Sequence, residues 1–241
     1  LSAAGNVVPG GTVAQPTISF NGTAIAETPD LGGLAALLAR PLADEASGVA
    51  AKVNGDLSFD TAKGQATIED FSGQLGSSIY SGRLAVKSGG PERPVISGRL
   101  AIDQANVASM QSLVAAGAVP AALVGLDGAV ELSIDELAMS PQLQASQVKA
   151  TTRLNDGELQ FDDLSARVLD GFLLGQLQVG RSGAAQTLSG DLNLSQADAK
   201  AVSGFVGLPD RLDGRVGVQL RFTSNGENEQ EALDTLAGSG R

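Results

Sequence analysis

The chain has 241 residues, 42% of them hydrophobic and 18% charged, which is enough apolar mass for a substantial core and too much for a disordered polymer. Sixteen basic residues against 27 acidic ones leave a formal charge of −11, and that field repels phosphate backbones, so nucleic acid is not an expected partner. Cysteine and histidine are both absent, which removes disulfides, thiolate nucleophiles, Cys/His zinc sites and the commonest general base.

From the N-terminus, residues 1–15 carry no pattern that assigns an element, and residues 16–241 read as one continuous, repetitive β-rich domain. Residues 22–30, GTAIAETPD, open the first repeat. Phe20, Ala24 and Ala26 alternate as in a strand, and Asp30 is placed to cap a helix whose apolar face is Leu31, Leu34, Leu37 and Leu38. Val53-Asn54-Gly55 then leads into a further alternating strand with Leu57 and Phe59.

The second repeat is GRLAIDQAN at 98–106. Ile96, Leu100 and Ile102 share a strand face, Asn106 is the cap, and Val107, Met110, Leu113 and Val114 mark the helix. Leu126-Asp127-Gly128 precedes a strand with Val130, Leu132 and Ile134. The run LVAAGAVPAALVGL at 113–126 is 14 residues long, short of the ~20 that a membrane span needs.

Asn155-Asp156-Gly157 between two alternating runs signals a tight hairpin, because glycine and its Asx neighbours tolerate positive φ. The third repeat, GDLNLSQAD at 190–198, places Leu188, Leu192 and Leu194 on one face. Asp198 is its cap, and Ala199, Val202, Phe205 and Val206 form its helical stripe. Leu212-Asp213-Gly214 leads to a last long strand with Val216, Val218, Leu220 and Phe222.

The connecting segments are duplicated as well: Gly64–Val86 aligns with Gly157–Val179 at a constant offset of 93. Repeat spacings of 76 and 92 residues exclude a strict short-period solenoid and argue against an adhesin-like passenger of regular short repeats. The expected fold is mainly β with short α-helices, a curved, repetitive antiparallel sheet forming a trough. The helices lie either over the apolar face or along the rim.

Leu-Asp-Gly before alternating strands, RPVISGRLAIDQANVASM at 93–110 and the tail GRVGVQLRFTSNGENEQEALDTLAGSGR at 214–241 resemble the AsmA family of diderm-bacterial envelope proteins, especially the C-terminal region of its long, TamB-like members. The resemblance covers roughly residues 18–241 and implies a trough with a greasy interior of the bridge-like lipid-transfer type. It also implies a periplasmic setting and an inner-membrane anchor in the full-length protein. The chain lacks an initiator methionine and a basic-then-apolar leader, so it is expected to be a fragment truncated at both ends, with membrane contact through parts absent from it.

The implied function is sheltering phospholipid acyl chains in a hydrophobic groove for transfer between the inner and outer membranes in outer-membrane biogenesis. The candidate groove residues are Leu57, Phe59, Leu84, Val86, Leu100, Ile102, Val130, Leu132, Ile134, Leu177, Val179, Leu192, Leu194, Val218, Leu220 and Phe222. The alternative is a scaffolding envelope module that binds another protein without lipid, its alternating strands forming an ordinary packed core.

No catalytic residue, metal ligand or cofactor is expected, and the chain reads as a non-enzyme. Ser146 and Lys149 have the spacing of an acylation pair but lack its companion motifs. The carboxylate pairs Asp135-Glu136 and Asp162-Asp163 occupy successive strand positions, which point to opposite faces.

Overall fold

Apolar and polar residues that alternate with period two, broken by glycine and Asx turns, can bury one side of a strand only in a sheet, and short links make that sheet antiparallel. In the computed structural model the described residues form thirteen strands and one short helix. The structure describes residues 2–12, 15–28, 50–75, 77–88, 93–107, 125–155, 157–182, 185–205, 213–226, 231 and 235–240.

The chain divides into two compact units, Leu1–Gln104 with Ser109–Val130, and Ala105–Ala108 with Glu131–Arg241. The first contains β1 (Ser2–Thr12), β2 (Gln15–Thr28), β3 (Ala51–Asp60), β4 (Gln65–Leu75), β5 (Ser78–Lys87), nearly all of β6 (Val95–Asn106) and the start of β7 (Asp127–Ser140). The second contains the rest of β7, β8 (Leu143–Asn155), β9 (Glu158–Val168), β10 (Gly171–Ser182), β11 (Ala185–Asp198), α1 (Ala199–Phe205), β12 (Arg215–Gly226) and β13 (Ala237–Gly240). Within each unit sheet order is chain order, and every pairing described is antiparallel. The expected repetitive antiparallel sheet is therefore what the chain forms.

The duplication seen in the sequence extends to strand register. Ala85 pairs with Thr67 and Ser97 in the first unit, and their counterparts Gln178, Gln160 and Ser189 pair likewise in the second. Leu84 opposes Ile68 and Gly98, as Leu177 opposes Phe161 and Gly190. The same bulge recurs: Asp70 (φ 44°) separates Ile68 from Phe71, and Asp163 (φ 51°) separates Phe161 from Leu164. One extra residue in the left-handed region returns Phe71 and Leu164 to the sheltered face, and both are buried.

The hairpin expected at residues 155–157 is present. Asn155 pairs with Glu158, and Gly157 has φ 80°. The β9–β10 connection is a two-residue turn in which Leu169 and Asp170 both have positive φ, the type I′ combination that matches strand twist. Its backbone is held from outside: the Arg215 guanidinium donates to the carbonyls of Asp170 and Gln196, at 3.2 and 3.0 Å.

Of the three expected helices, α1 lies within the described residues. Asp198 accepts hydrogen bonds from the N–H groups of Lys200 and Ala201 at 2.9 and 3.0 Å, the N-cap geometry expected from its position. The helix buries Ala199 and Ser203, whereas Phe205 from the expected apolar stripe is exposed and Val206 lies outside the described residues. The helix leaves the end of β11 beside the β9–β10 turn, where the Asp198 N–H donates to the Leu169 carbonyl at 2.9 Å. It joins β11 to β12, which pair directly and antiparallel. The helix expected after Asp30 lies outside the described residues, as does the one after Asn106 beyond Val107.

Residues 1–15, unassigned from sequence, include β1. All eleven of its residues are exposed, and it is paired to β2 from Ser2↔Ile25 to Thr12↔Gln15.

Candidate functional site

In an antiparallel ladder, directly opposed residues lie on the same face, so the registers sort the side chains of each unit. In the first unit one row runs Val7, Phe20, Phe59, Ala66, Val86 and Ile96. The next runs Gly5, Gly22, Leu57, Ile68, Leu84 and Gly98. Phe71, Gly82 and Leu100 follow, then Val53, Gly73, Tyr80 and Ile102. Leu57, Phe59, Leu84, Val86, Leu100 and Ile102 from the sequence-derived set thus share one apolar face.

The face is kept low by glycines opposite large side chains. At Gly82 an added Cβ would lie 2.1 Å from the Arg99 carbonyl oxygen, and at Gly98 it would lie 2.1 Å from that of Arg83. No side chain fits at either position without separating β5 from β6. Phe20 and Phe59 stack with centroids 5.6 Å apart at one end of the face.

In the second unit the corresponding rows are Leu159, Val179 and Leu188; Phe161, Leu177, Gly190 and Phe222; Leu164, Gly175, Leu192 and Leu220; and Leu173, Leu194 and Val218. Leu177, Val179, Leu192, Leu194, Val218, Leu220 and Phe222 share this second face. Leu177 and Phe222 converge over Gly190, each with a carbon 2.7 Å from where a Cβ would be. On β7, Val130 in the first unit and Leu132 and Ile134 in the second occupy alternate positions between exposed Ala129, Glu131 and Asp135.

Exposure grades along these residues. Ile134 and Ile102 are buried, at 4% and 8%, while Val218 and Leu220 are 37% and 40% exposed. The other twelve are half-buried. Phe20, read from sequence as a strand residue, belongs to the same faces, as do Ile68, Phe71, Tyr80, Phe161, Leu164 and Leu173, which were not singled out from sequence. Phe71 and Leu164 fall out of the period-two count because each follows a bulge; the others are legible once register is known. Thr152 and Ser224 are polar residues on the second unit's face: Thr152 pairs with Phe161 and its hydroxyl is buried without a hydrogen-bond partner, and the buried Ser224 pairs with Leu188.

The opposite faces are mostly polar, although Ile25, Ile79, Val95, Phe172 and Leu174 are exposed on them, and they carry cross-strand pairs. Arg83 meets Glu69 at 3.6 Å and Thr23 donates to Asp56 at 3.0 Å in the first unit. In the second, Arg153 lies 3.1 Å from Asp162, and Arg221 contacts one Asp191 oxygen through Nε and Nη2 at 3.0 and 2.6 Å. An exposed pair such as Arg83–Glu69 contributes ~0–1 kcal/mol and chiefly defines register.

Two of the three pairs set aside from sequence lie at bulges, while Asp135 and Glu136 are exposed on β7. Ser146 and Lys149 flank a bulge at Gln147 (φ 53°), Asp163 is itself a bulge residue, and Asp162 is engaged by Arg153 and by the Gln160 amide at 2.7 Å. Among the described residues no three Asp or Glu side chains are grouped to hold a metal ion, and no helix is long and apolar enough to cross a membrane. No protein-family model, no curated protein and no solved structure matches the chain.

Proposed function

We propose that the chain is a segment of an AsmA-like envelope protein whose apolar strand faces shelter phospholipid acyl chains in the periplasm, during transfer between inner and outer membranes. One observation carries the reading: in each unit the registers gather aliphatic and aromatic side chains on one face, and most stay half-exposed instead of sealed. A hydrocarbon chain is the ligand such a surface favours, since it offers area and no directional bonds. An acyl chain of about sixteen carbons in water represents on the order of 10 kcal/mol of apolar exposure at ~0.8 kcal/mol per methylene.

The dimensions agree. Six strands ~4.8 Å apart make a face roughly 24 Å across, against about 15 Å for one leaflet of a ~30 Å hydrocarbon core. A chain lying across four strands meets apolar side chains and glycines and no directional polar anchor. The polar opposite face leaves the headgroup in water.

The test is lipid extraction from the purified chain followed by mass spectrometry, with Leu100→Asp and Leu192→Asp beside the parent. Both positions are half-buried, so the expected result is phospholipid bound to the parent and lost from both variants at nearly unchanged circular dichroism. Repeated preparations of folded parent without phospholipid, together with capture of a specific envelope protein, favour the scaffolding alternative. Equal loss of fold and lipid marks a sealed core, where an unpaired charge destabilises severely.

A further inference from the structure

The polar face of the second unit contains a shallow depression of about 400 Å³ across β9 to β12. Its lining includes Gln160, Gln176, Gln178, Ser189, Asp191 and Arg221, together with Thr223 and the intervening positions Leu177, Gly190 and Phe222. The depression lies beside the bulge at Asp163, where the register shifts between Gly175 and Leu177. We infer that it binds a neutral, polyhydroxylated ligand, a glycan lying across the strands.

Three features point there. First, the amides are held in place: Gln178 Nε2 donates to Glu158 at 2.6 Å and Gln160 Nε2 donates to Asp162 at 2.7 Å, which leaves each amide oxygen to accept from a ligand hydroxyl. Second, Asp191 and Arg221 neutralise each other in the middle of the site. An anion finds the Arg221 charge already engaged, while hydroxyls, which both donate and accept, suit the mixed donor and acceptor set.

Third, folding does not require these side chains. The duplicated positions in the first unit are Thr67, Arg83, Ala85, Ser97 and Arg99, and they make the same strand pairs in the same register. The same three-strand framework, β4–β6 and β9–β11, carries the glutamines and the aspartate on the second copy alone. This site lies on the face opposite the apolar one and stands whether or not that face takes lipid.

The test is a titration of the whole chain with maltohexaose, cellohexaose and chitohexaose, followed by NMR of the glutamine side-chain amides and the Arg221 Nε–H. At least one saccharide is expected to shift the Gln160, Gln178 and Arg221 signals saturably. Gln176→Ala and Gln178→Ala, at exposed positions, should each weaken binding about tenfold, whereas Thr67→Ala in the first unit should not change it. No saturable shift with any of the three up to their solubility overturns the inference, as does unchanged binding in both glutamine variants. Stronger perturbation of the same signals by inorganic phosphate overturns the neutral ligand class.

Discussion

Asp198 closes a strand and opens a helix with a single side chain, accepting from two of the orphan N–H groups of α1. Asp198→Ala is expected to lower stability by about 1 kcal/mol, and Asp198→Asn by only a few tenths, measured as a shift in urea midpoint at constant slope. Asp60 plays the matching part in the β3–β4 turn. Its carboxylate lies 3.0 Å from Lys63 Nζ and accepts from the N–H groups of Ala62 and Lys63, at 3.0 and 3.2 Å. The Lys63 side chain, aided by those backbone donors, holds the carboxyl below its ordinary pKa. A lowered folded value means that the stabilisation is full above the unfolded aspartate's range and is lost as pH falls through the folded one. The advantage of the parent over Asp60→Asn in thermal midpoint should therefore be constant above about pH 5 and vanish in acid. The cap at Asp198 was legible because Asx before an apolar run has a local cause. The buried side of α1 was legible only in part: Ala199 of the expected stripe is buried, Phe205 is exposed, and Ser203, outside the stripe, is buried with its hydroxyl donating to the Ala199 carbonyl at 2.7 Å.

At the scale of elements, the 93-residue offset in the sequence became the same strands with the same partners. Period-two alternation identified the faces wherever a strand ran without interruption. It lost Phe71 and Leu164, because a bulge residue shifts the count by one and only its backbone conformation restores the side chain to the face. Aspartate tolerates that left-handed conformation better than most residues and glycine tolerates it without penalty. Asp163→Gly should accordingly be near neutral, while Asp163→Val should cost about 1–2 kcal/mol, read from thermal or urea unfolding. Strand β1 was illegible for a different reason. Its sequence SAAGNVVPGGT has small residues and no alternation, and pairing with β2 supplies the structure that local propensity does not.

At the scale of the molecule, the antiparallel, repetitive β architecture followed from composition, turn chemistry and duplication. Which residues share a face required register, a long-range property that no single strand encodes. The groove residues chosen from alternation fall on the apolar faces of their strands, and each unit has a mostly polar reverse side on which a few apolar residues, such as Ile79 and Leu174, are also exposed. That two-sidedness gives the lipid proposal a sharp signature with period two. A photoreactive amino acid placed successively at Arg99, Leu100 and Ala101 of β6, and at Asp191, Leu192 and Asn193 of β11, would be irradiated in membranes or with added phospholipid. The account predicts lipid adducts at Leu100 and Leu192 and none at their immediate neighbours. Labelling that ignores the alternation, or its absence at both leucines in folded protein, would contradict it.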